Sequence, residues 1–168
     1  MGSGLYDMDR KTAVKLSIDR VKENELLELI DLYLRAYRGL EEYAYTHPKD
    51  VESYLRWLFS RDREGFFVAK VGDKIVGFVC GDANWFSRRE RKHVGAIHEI
   101  VVDPEYQKHG IGKALMDTIL KYFQSKGLGT AELWVGDENI RAINFYKKLG
   151  FEEKGRYNYW IRMTKNLK

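Results

Sequence analysis

The sequence predicts a single α/β domain (α+β in some schemes), a sheet of six to seven strands flanked by four helices. Three observations predict it. Segments with strand periodicity and segments with helical periodicity follow one another in the order β α α β β β α β α β β, which calls for a sheet covered by helices. The chain has 168 residues, the length of one ordinary domain. Hydrophobic residues make up 44% and charged residues 32%, which is enough apolar surface for a packed core. Residues 1–168 therefore read as one domain, with residues 1–10 expected to be a flexible end or a cloning remnant.

Each element follows from its local pattern. Residues 14–19 alternate and read as a first strand. Leu26, Leu29, Ile30, Tyr33, Leu34 and Tyr37 then share one helical face, and Gly39 ends that helix. Pro48 opens a second helix, where its missing N–H does no harm, with Val51, Tyr54, Leu55 and Leu58 as the apolar stripe. Residues 65–71 and 74–82 read as strands joined by the Gly-first turn Gly72-Asp73. A polar stretch at 87–92 precedes another strand, 95–102, closed by Asp103-Pro104. A third helix starts near Gly110, with Ile111, Ala114, Leu115, Ile119, Tyr122 and Phe123 on one side, and stops at Gly127 and Gly129. Residues 131–135 form a strand. Asn139 is a good N-cap for a fourth helix carrying Ile143, Phe145, Tyr146 and Leu149, and Gly150 allows its left-handed C-terminal turn. Residues 151–164 read as two short strands.

Composition narrows the function. Lys plus Arg number 29 and Asp plus Glu 25, a net charge of +4. That mild excess favours an anionic ligand without demanding nucleic acid. Cys80 is the single cysteine, so an intrachain disulfide and a CxxC zinc site are both excluded. No metal is expected. No apolar run reaches the ~18 residues of a membrane span, and a cytoplasmic protein without a membrane partner is expected.

The most informative stretch is Gln107-Lys108-His109-Gly110-Ile111-Gly112-Lys113-Ala114. It lies between a strand and an amphipathic helix. Its glycines let backbone approach a ligand, and free N–H groups at a helix start favour phosphate or pyrophosphate. Lys108, His109 and Lys113 add positive charge. A Walker loop does not fit, because Ala114 follows Lys113 and the upstream glycine is missing. A dinucleotide fingerprint does not fit either, because Pro104 to His109 separate the glycines from the strand.

Residues 97–112, Ile-His-Glu-Ile-Val-Val-Asp-Pro-Glu-Tyr-Gln-Lys-His-Gly-Ile-Gly, resemble the GNAT superfamily of acyl-CoA N-acyltransferases. Its first hallmark is a strand, then V-x-P-x-[FY], then [RQ]-x-x-G-x-[GA]. Residues 139–151 are similar to the second, N-x-x-A-x-x-[FL]-Y-x-x-x-G-F. Both blocks lie at the family's usual separation, and the likeness spans about residues 14–164. It implies a mixed, mostly antiparallel twisted sheet and acetyl-CoA (coenzyme A) as cofactor. By resemblance, the backbone of Gln107, Lys108, His109, Gly110, Ile111 and Gly112, with Lys113, holds the pyrophosphate. Ile100, Val101 and Val102 pair with the pantetheine arm in a gap before the next strand. Asn139, Ala142, Phe145 and Tyr146 line the thiol end, and Lys148 reaches the adenosine side.

The resemblance implies direct transfer of an acetyl group from acetyl-CoA to an amine, with Tyr146 as the acid that protonates the leaving thiolate. The family's usual base positions carry Ala96 and Trp134 here. Glu99, in the cofactor strand, is the best remaining base, and His98 is expected to point the other way as a structural residue. Glu41, Glu42 and Tyr43, in the loop between the first two helices, suit an ammonium-bearing acceptor. Trp85 is expected in a second wall of that site. No acidic stretch follows the tail tyrosines, which weighs against protein N-termini. A small amine, amino sugar or amino acid fits at least as well as a protein amine. Two other readings compete. One is a non-catalytic acyl-CoA-binding or regulatory module, favoured by the two missing bases. The other is nucleic-acid binding through 88–92, which is short, contains Glu90 and reads better as a solvated loop. A homodimer is compatible with the resemblance.

Overall fold

The computed structural model describes residues 3–9 and 12–168, with side chains from Lys15 onward. Its elements are β1 (Ser3–Asp9), β2 (Thr12–Arg20), α1 (Leu29–Ala36), α2 (Pro48–Arg61), β3 (Phe66–Val71), β4 (Lys74–Ser87), β5 (Lys92–Val102), α3 (Ile111–Ser125), β6 (Thr130–Gly136), α4 (Ile140–Lys148), β7 (Glu152–Tyr157) and β8 (Trp160–Asn166). Among the described residues the strands form one sheet in the order β1-β2-β3-β4-β5-β6-β8-β7. Only β5 and β6 run parallel; every other neighbouring pair is antiparallel. The mixed sheet with four α-helices agrees with the sequence reading.

Three details differ from that reading. Ser3–Asp9 lies in the segment expected to be a flexible end, yet it forms an eighth, edge strand against β2. The helix expected from Leu26 to Tyr37 begins as a 3-10 turn, Glu23–Glu28, and becomes α-helical only at Leu29. Glu25 stabilises the turn by accepting from Lys22 N at 2.8 Å and pairing with Lys70 Nζ at 2.6 Å. The polar stretch at 87–92 is mostly strand end and hairpin turn, because β4 continues to Ser87 and β5 starts at Lys92.

Two apolar cores sandwich the sheet. Leu29, Leu32 and Tyr33 of α1 and Val51, Leu55 and Leu58 of α2 bury against Phe66, Val68, Phe78, Cys80 and Val101. On the opposite face Ile111, Leu115, Ile119 and Phe123 of α3, with Ile143 and Tyr146 of α4, bury against Val79, Ile97, Leu133 and Met163. Full burial of one such side chain contributes roughly 1.5–3 kcal/mol, so both layers hold the strands firmly.

One irregularity in β5 shapes everything that follows. Cys80 pairs with Glu99 but Gly81 pairs with Ile97, so His98 is an extra residue opposite no partner. Such a bulge bends and twists its strand. In an unbroken strand Ile97 and Glu99 would share a face. Here Ile97 packs in the α3 core, while Glu99 meets Tyr37 at the end of α1 and Tyr54 of α2. The pairing with β6 also stops at Ile97–Leu133. Beyond that point the two parallel strands separate, and the backbone edge of β5 from the bulge to Val102 has no β6 partner.

Candidate active site

The separated strands open a cleft of about 1690 Å³, lined along one edge by residues 97–102 and along the other by residues 133–136. A pocket for one small ligand spans roughly 300–1,000 Å³, so this cleft has room for two reactants. Its two ends differ in chemistry.

At one end lies the glycine loop. Asp103 is fully buried. Its Oδ1 accepts from Glu105 N at 3.0 Å and from Arg35 Nη1 at 2.9 Å, which ties α1 to the end of β5. Pro104–Tyr106 then make one 3-10 turn. Gly110 is the N-cap of α3 in the left-handed region at φ +80°, with no side-chain cap. The first in-helix hydrogen bond is Ala114 N to Gly110 O at 3.0 Å. The N–H groups of Ile111, Gly112 and Lys113 therefore have no partner within the helix and form the positive end of its dipole. A Cβ on Gly112 would lie 3.3 Å from Phe145 Cζ and 3.6 Å from Val102 Cγ2. The glycine thus keeps this wall low. Lys113 is exposed and pairs with Asp117 at 2.9 Å, a surface contact weak enough to release the ammonium to another anion.

In the middle sits Tyr146, buried against Phe145 and Phe151 with ring centroids 5.5 and 5.9 Å away. Burial, with the nearby Glu99 charge, raises its phenol well above the usual range. It stays protonated through neutral pH. Asn139 caps α4 by accepting from Ala142 N at 3.3 Å.

At the other end Glu99 is caged by phenols. Tyr37 OH donates to Oε1, and Tyr54 OH donates to Oε2 at 2.7 Å. Burial pushes the Glu99 carboxyl up to about 7, although both phenol hydrogen bonds favour the charged form. The cleft thus brings a carboxyl poised near neutrality close to a phenol that holds its proton. Around it the wall is aromatic. Tyr43 donates to Asp137 Oδ1 at 2.8 Å and its oxygen accepts from Glu138 N at 3.0 Å. Its ring lies 5.5 Å from that of Trp160. Tyr33, Tyr45, Trp134 and Tyr157 complete the lining.

Most residues singled out from the sequence line this cleft: Glu99, Ile100, Val101, Val102, Gln107, Lys108, Gly110, Ile111, Gly112, Lys113, Asn139, Ala142, Phe145, Tyr146, Lys148 and Tyr43. His109 is exposed and is not among the residues that line it. Glu41 and Glu42 are a correction. Both are exposed and off the cleft lining, and Glu41 Oε1 instead accepts from Gly39 N at 2.9 Å. Trp85 is another. Its ring packs edge-on to His98 at 4.8 Å and under the Arg61 guanidinium at 5.4 Å, away from the cleft lining. His98 is a third. The bulge turns it toward α2 rather than away from Glu99, with Trp57 at 5.3 Å and Asp82 Oδ2 at 3.0 Å. Asp82 also takes Arg61 Nε at 2.8 Å, so this cluster is internally paired.

The comparisons agree with the geometry. The sequence model of the acetyltransferase (GNAT) family matches residues 26–151. The chain belongs to that family. It is 46% identical over 151 residues to an uncharacterized N-acetyltransferase of Methanocaldococcus jannaschii, across 90% of this chain and 67% of that protein. A crystal structure from Pyrococcus horikoshii superposes with a TM-score of 0.82 at 45% identity, covering 90% of this chain and 98% of the other. The paia N-acetyltransferase of Thermoplasma acidophilum in complex with coenzyme A superposes with a TM-score of 0.71 at 20% identity, covering 90% and 98%. At that identity the likeness is of fold. As a GNAT acetyltransferase the protein is an acyltransferase enzyme. Among the described residues no helix is long and apolar enough to cross a membrane.

Sequence reasoning missed Tyr37 and Tyr54 as site residues, since both fit the apolar helical stripes. Their signal was present all the same. A stripe rich in tyrosine buries hydroxyls that need partners.

Proposed function

We propose that this GNAT enzyme transfers an acetyl group from acetyl-CoA directly to the primary amine of a small acceptor with an apolar or aromatic body. The observation that carries this reading is one cleft with a bare helix N-terminus at one end and a phenol-caged carboxylate at the other. The residues present fit coenzyme A. The N–H groups of Ile111, Gly112 and Lys113 suit a pyrophosphate. The unpaired edge of β5 from Ile100 to Val102 offers backbone partners for pantetheine amides. Lys108 and Lys148 add charge. When bound, the donor supplies an activated thioester carbonyl.

The chain's own residues account for the proton transfers. An amine arrives largely as ammonium, and Glu99 accepts its proton, directly or through one water. The Tyr37, Tyr54 and Tyr33 rings give the cation an aromatic surround until then. As the carbon–sulfur bond breaks, Tyr146 delivers its proton to the departing thiolate, and the second proton shed by the nitrogen as the amide forms restores the phenol. A backbone N–H near Ile100 stabilises negative charge on the carbonyl oxygen. Tyr43, Tyr157 and Trp160 hold the acceptor's body. The test is release of free thiol from acetyl-CoA across a panel of aryl-alkyl amines, amino sugars, amino acids, polyamines and peptides, with the product identified by mass. Turnover with none of them, alongside tight coenzyme A binding, would defeat the proposal.

A further inference from the structure

Resting on the reading of Glu99 as proton acceptor, we propose that Tyr54 is a positioning residue that holds Glu99 in both protonation states by exchanging hydrogen-bond partners. The Tyr54 hydroxyl oxygen lies 2.7 Å from Glu99 Oε2 and 3.3 Å from the carbonyl oxygen of His98, the extra residue of the bulge. A phenol has one proton to give and an oxygen able to accept another. While Glu99 is ionised, the proton belongs to the nearer, charged acceptor. When Glu99 takes a proton from the substrate ammonium, its carboxyl becomes a donor. Tyr54 then turns its own proton to the His98 carbonyl and accepts from Glu99. No proton leaves Tyr54 for good, and no buried group is stranded in either state.

Tyr37 provides the contrast. It donates to Glu99 Oε1, and among the described residues its hydroxyl has no second acceptor. It therefore supports the ionised carboxylate more than the neutral acid. The groups that face Glu99 are Tyr33 and Tyr37 from α1 and its end, Tyr54 from α2, Cys80 from β4 and Tyr146 from α4. None is a cation, so the two phenol donors are what offset burial of the charge. The geometry is well supported. Val51, Leu55 and Leu58 anchor α2 in the core, and the Tyr54 ring rests against Tyr45 at 5.1 Å and Tyr33 at 6.0 Å. The bulge supplies the second acceptor, which a regular strand would commit to its ladder.

The two phenols therefore differ in what their loss does. Removing Tyr37 OH penalises mainly the ionised state, so the Glu99 midpoint rises by about one unit. Removing Tyr54 OH penalises both states. The midpoint moves by less than half as much, but kcat falls on the order of tenfold at every pH because the carboxyl is no longer held. Two readouts decide. One is the pH profile of kcat/KM and kcat for wild type, Tyr37→Phe and Tyr54→Phe. The other is carbon-13 NMR titration of the Glu99 carboxyl in the full chain, which needs no substrate. Equal midpoint shifts in the two variants would show that Tyr54 serves the ionised state alone and would overturn the proposal. So would a Tyr54→Phe enzyme with wild-type midpoint and kcat, or one whose only change is a lower melting temperature. Should Tyr54→Phe not fold, 3-fluorotyrosine at 54 and at 37 gives the same ordering, with the smaller midpoint change at 54. The base reading fails separately, if Glu99→Gln keeps the wild-type rate and acid limb. The NMR midpoints still judge Tyr54 in that case.

Discussion

The two ends of the cleft are built by different means. The end at α3 comes from one stretch of chain, within residues 100–113, and includes the free N–H groups at the start of α3, with α4 beside it. The end at α2 is made of side-chain tips from separate elements: Tyr37, Tyr43, Tyr54, Glu99, Trp134 and Tyr157. A surface of backbone N–H groups binds through geometry that neighbouring residues dictate. A surface of side-chain tips depends on how distant elements dock. The first kind is shared readily among enzymes with different acceptors, and the second is where one enzyme differs from another.

Four variants sharpen or break that contrast. Tyr146→Phe, at the junction of the two ends, has the largest expected effect. Steady-state kinetics should show kcat lower by roughly 10²–10⁴, with coenzyme A affinity by calorimetry nearly unchanged. An unchanged kcat removes Tyr146 from the chemistry.

Glu99→Gln comes next, with kcat/KM lower by about 10² and the acid limb near pH 7 lost. Its stability effect has a definite sign. Burial lifts the folded carboxyl to about 7 from an ordinary value of 4.5. The folded chain holds that proton more tightly, so stability is full below about pH 4 and falls as pH rises toward 7. The loss is on the order of 3 kcal/mol. Thermal melts at pH 8 should therefore place Glu99→Gln at or above wild type. A much lower melting point would mean that the carboxylate stabilises the fold.

Gly112→Val tests the backbone end. Its added methyl groups meet Phe145 and Val102, and acetyl-CoA binding should weaken on the order of tenfold while the acceptor KM holds. An equal loss in acceptor KM would show that the two ends are not separable. The smallest effect is expected for Glu41→Gln with Glu42→Gln. Both side chains are exposed and off the cleft, so acceptor KM should stay within about twofold. A larger rise would return these two carboxylates to the acceptor site.

The order of elements from β2 onward, the glycine loop, the start of α3 and the cap of α4 were all legible in the sequence. Each rests on contacts within a few residues: Gly110 at positive φ, Asn139 bonded to Ala142 N, Asp103 bonded to Glu105 N. Glu99 was legible as a candidate but its surroundings were not. Tyr37 and Tyr54 lie 62 and 45 residues away from it, and a tyrosine-rich stripe announces buried hydroxyls without naming their partner. The misplacement of Glu41, Glu42 and Trp85 has the same origin. Charge and aromaticity name a type of contact without saying where the side chain ends up. The run at 88–92 shows the reverse case. Its sequence looks like a basic patch, yet Glu90 pairs with the buried Arg162 at 2.8 Å, and Arg162 also meets Glu132 at 2.9 Å. The turn is tied down by an acid that a count of positive charges overlooks.

Sequence alone determined the periodicities, the punctuating glycines and prolines, and the backbone-made half of the site, because those depend on local propensity and on free N–H groups at a helix start. Tertiary structure alone decided that a single extra residue, His98, would turn Glu99 onto the α2 face, stop the pairing of β5 with β6 and open the cleft between them. A bulge is defined by the partner strand. The residue that becomes extra is settled only when β4 packs alongside and the two cores fix the register from both faces.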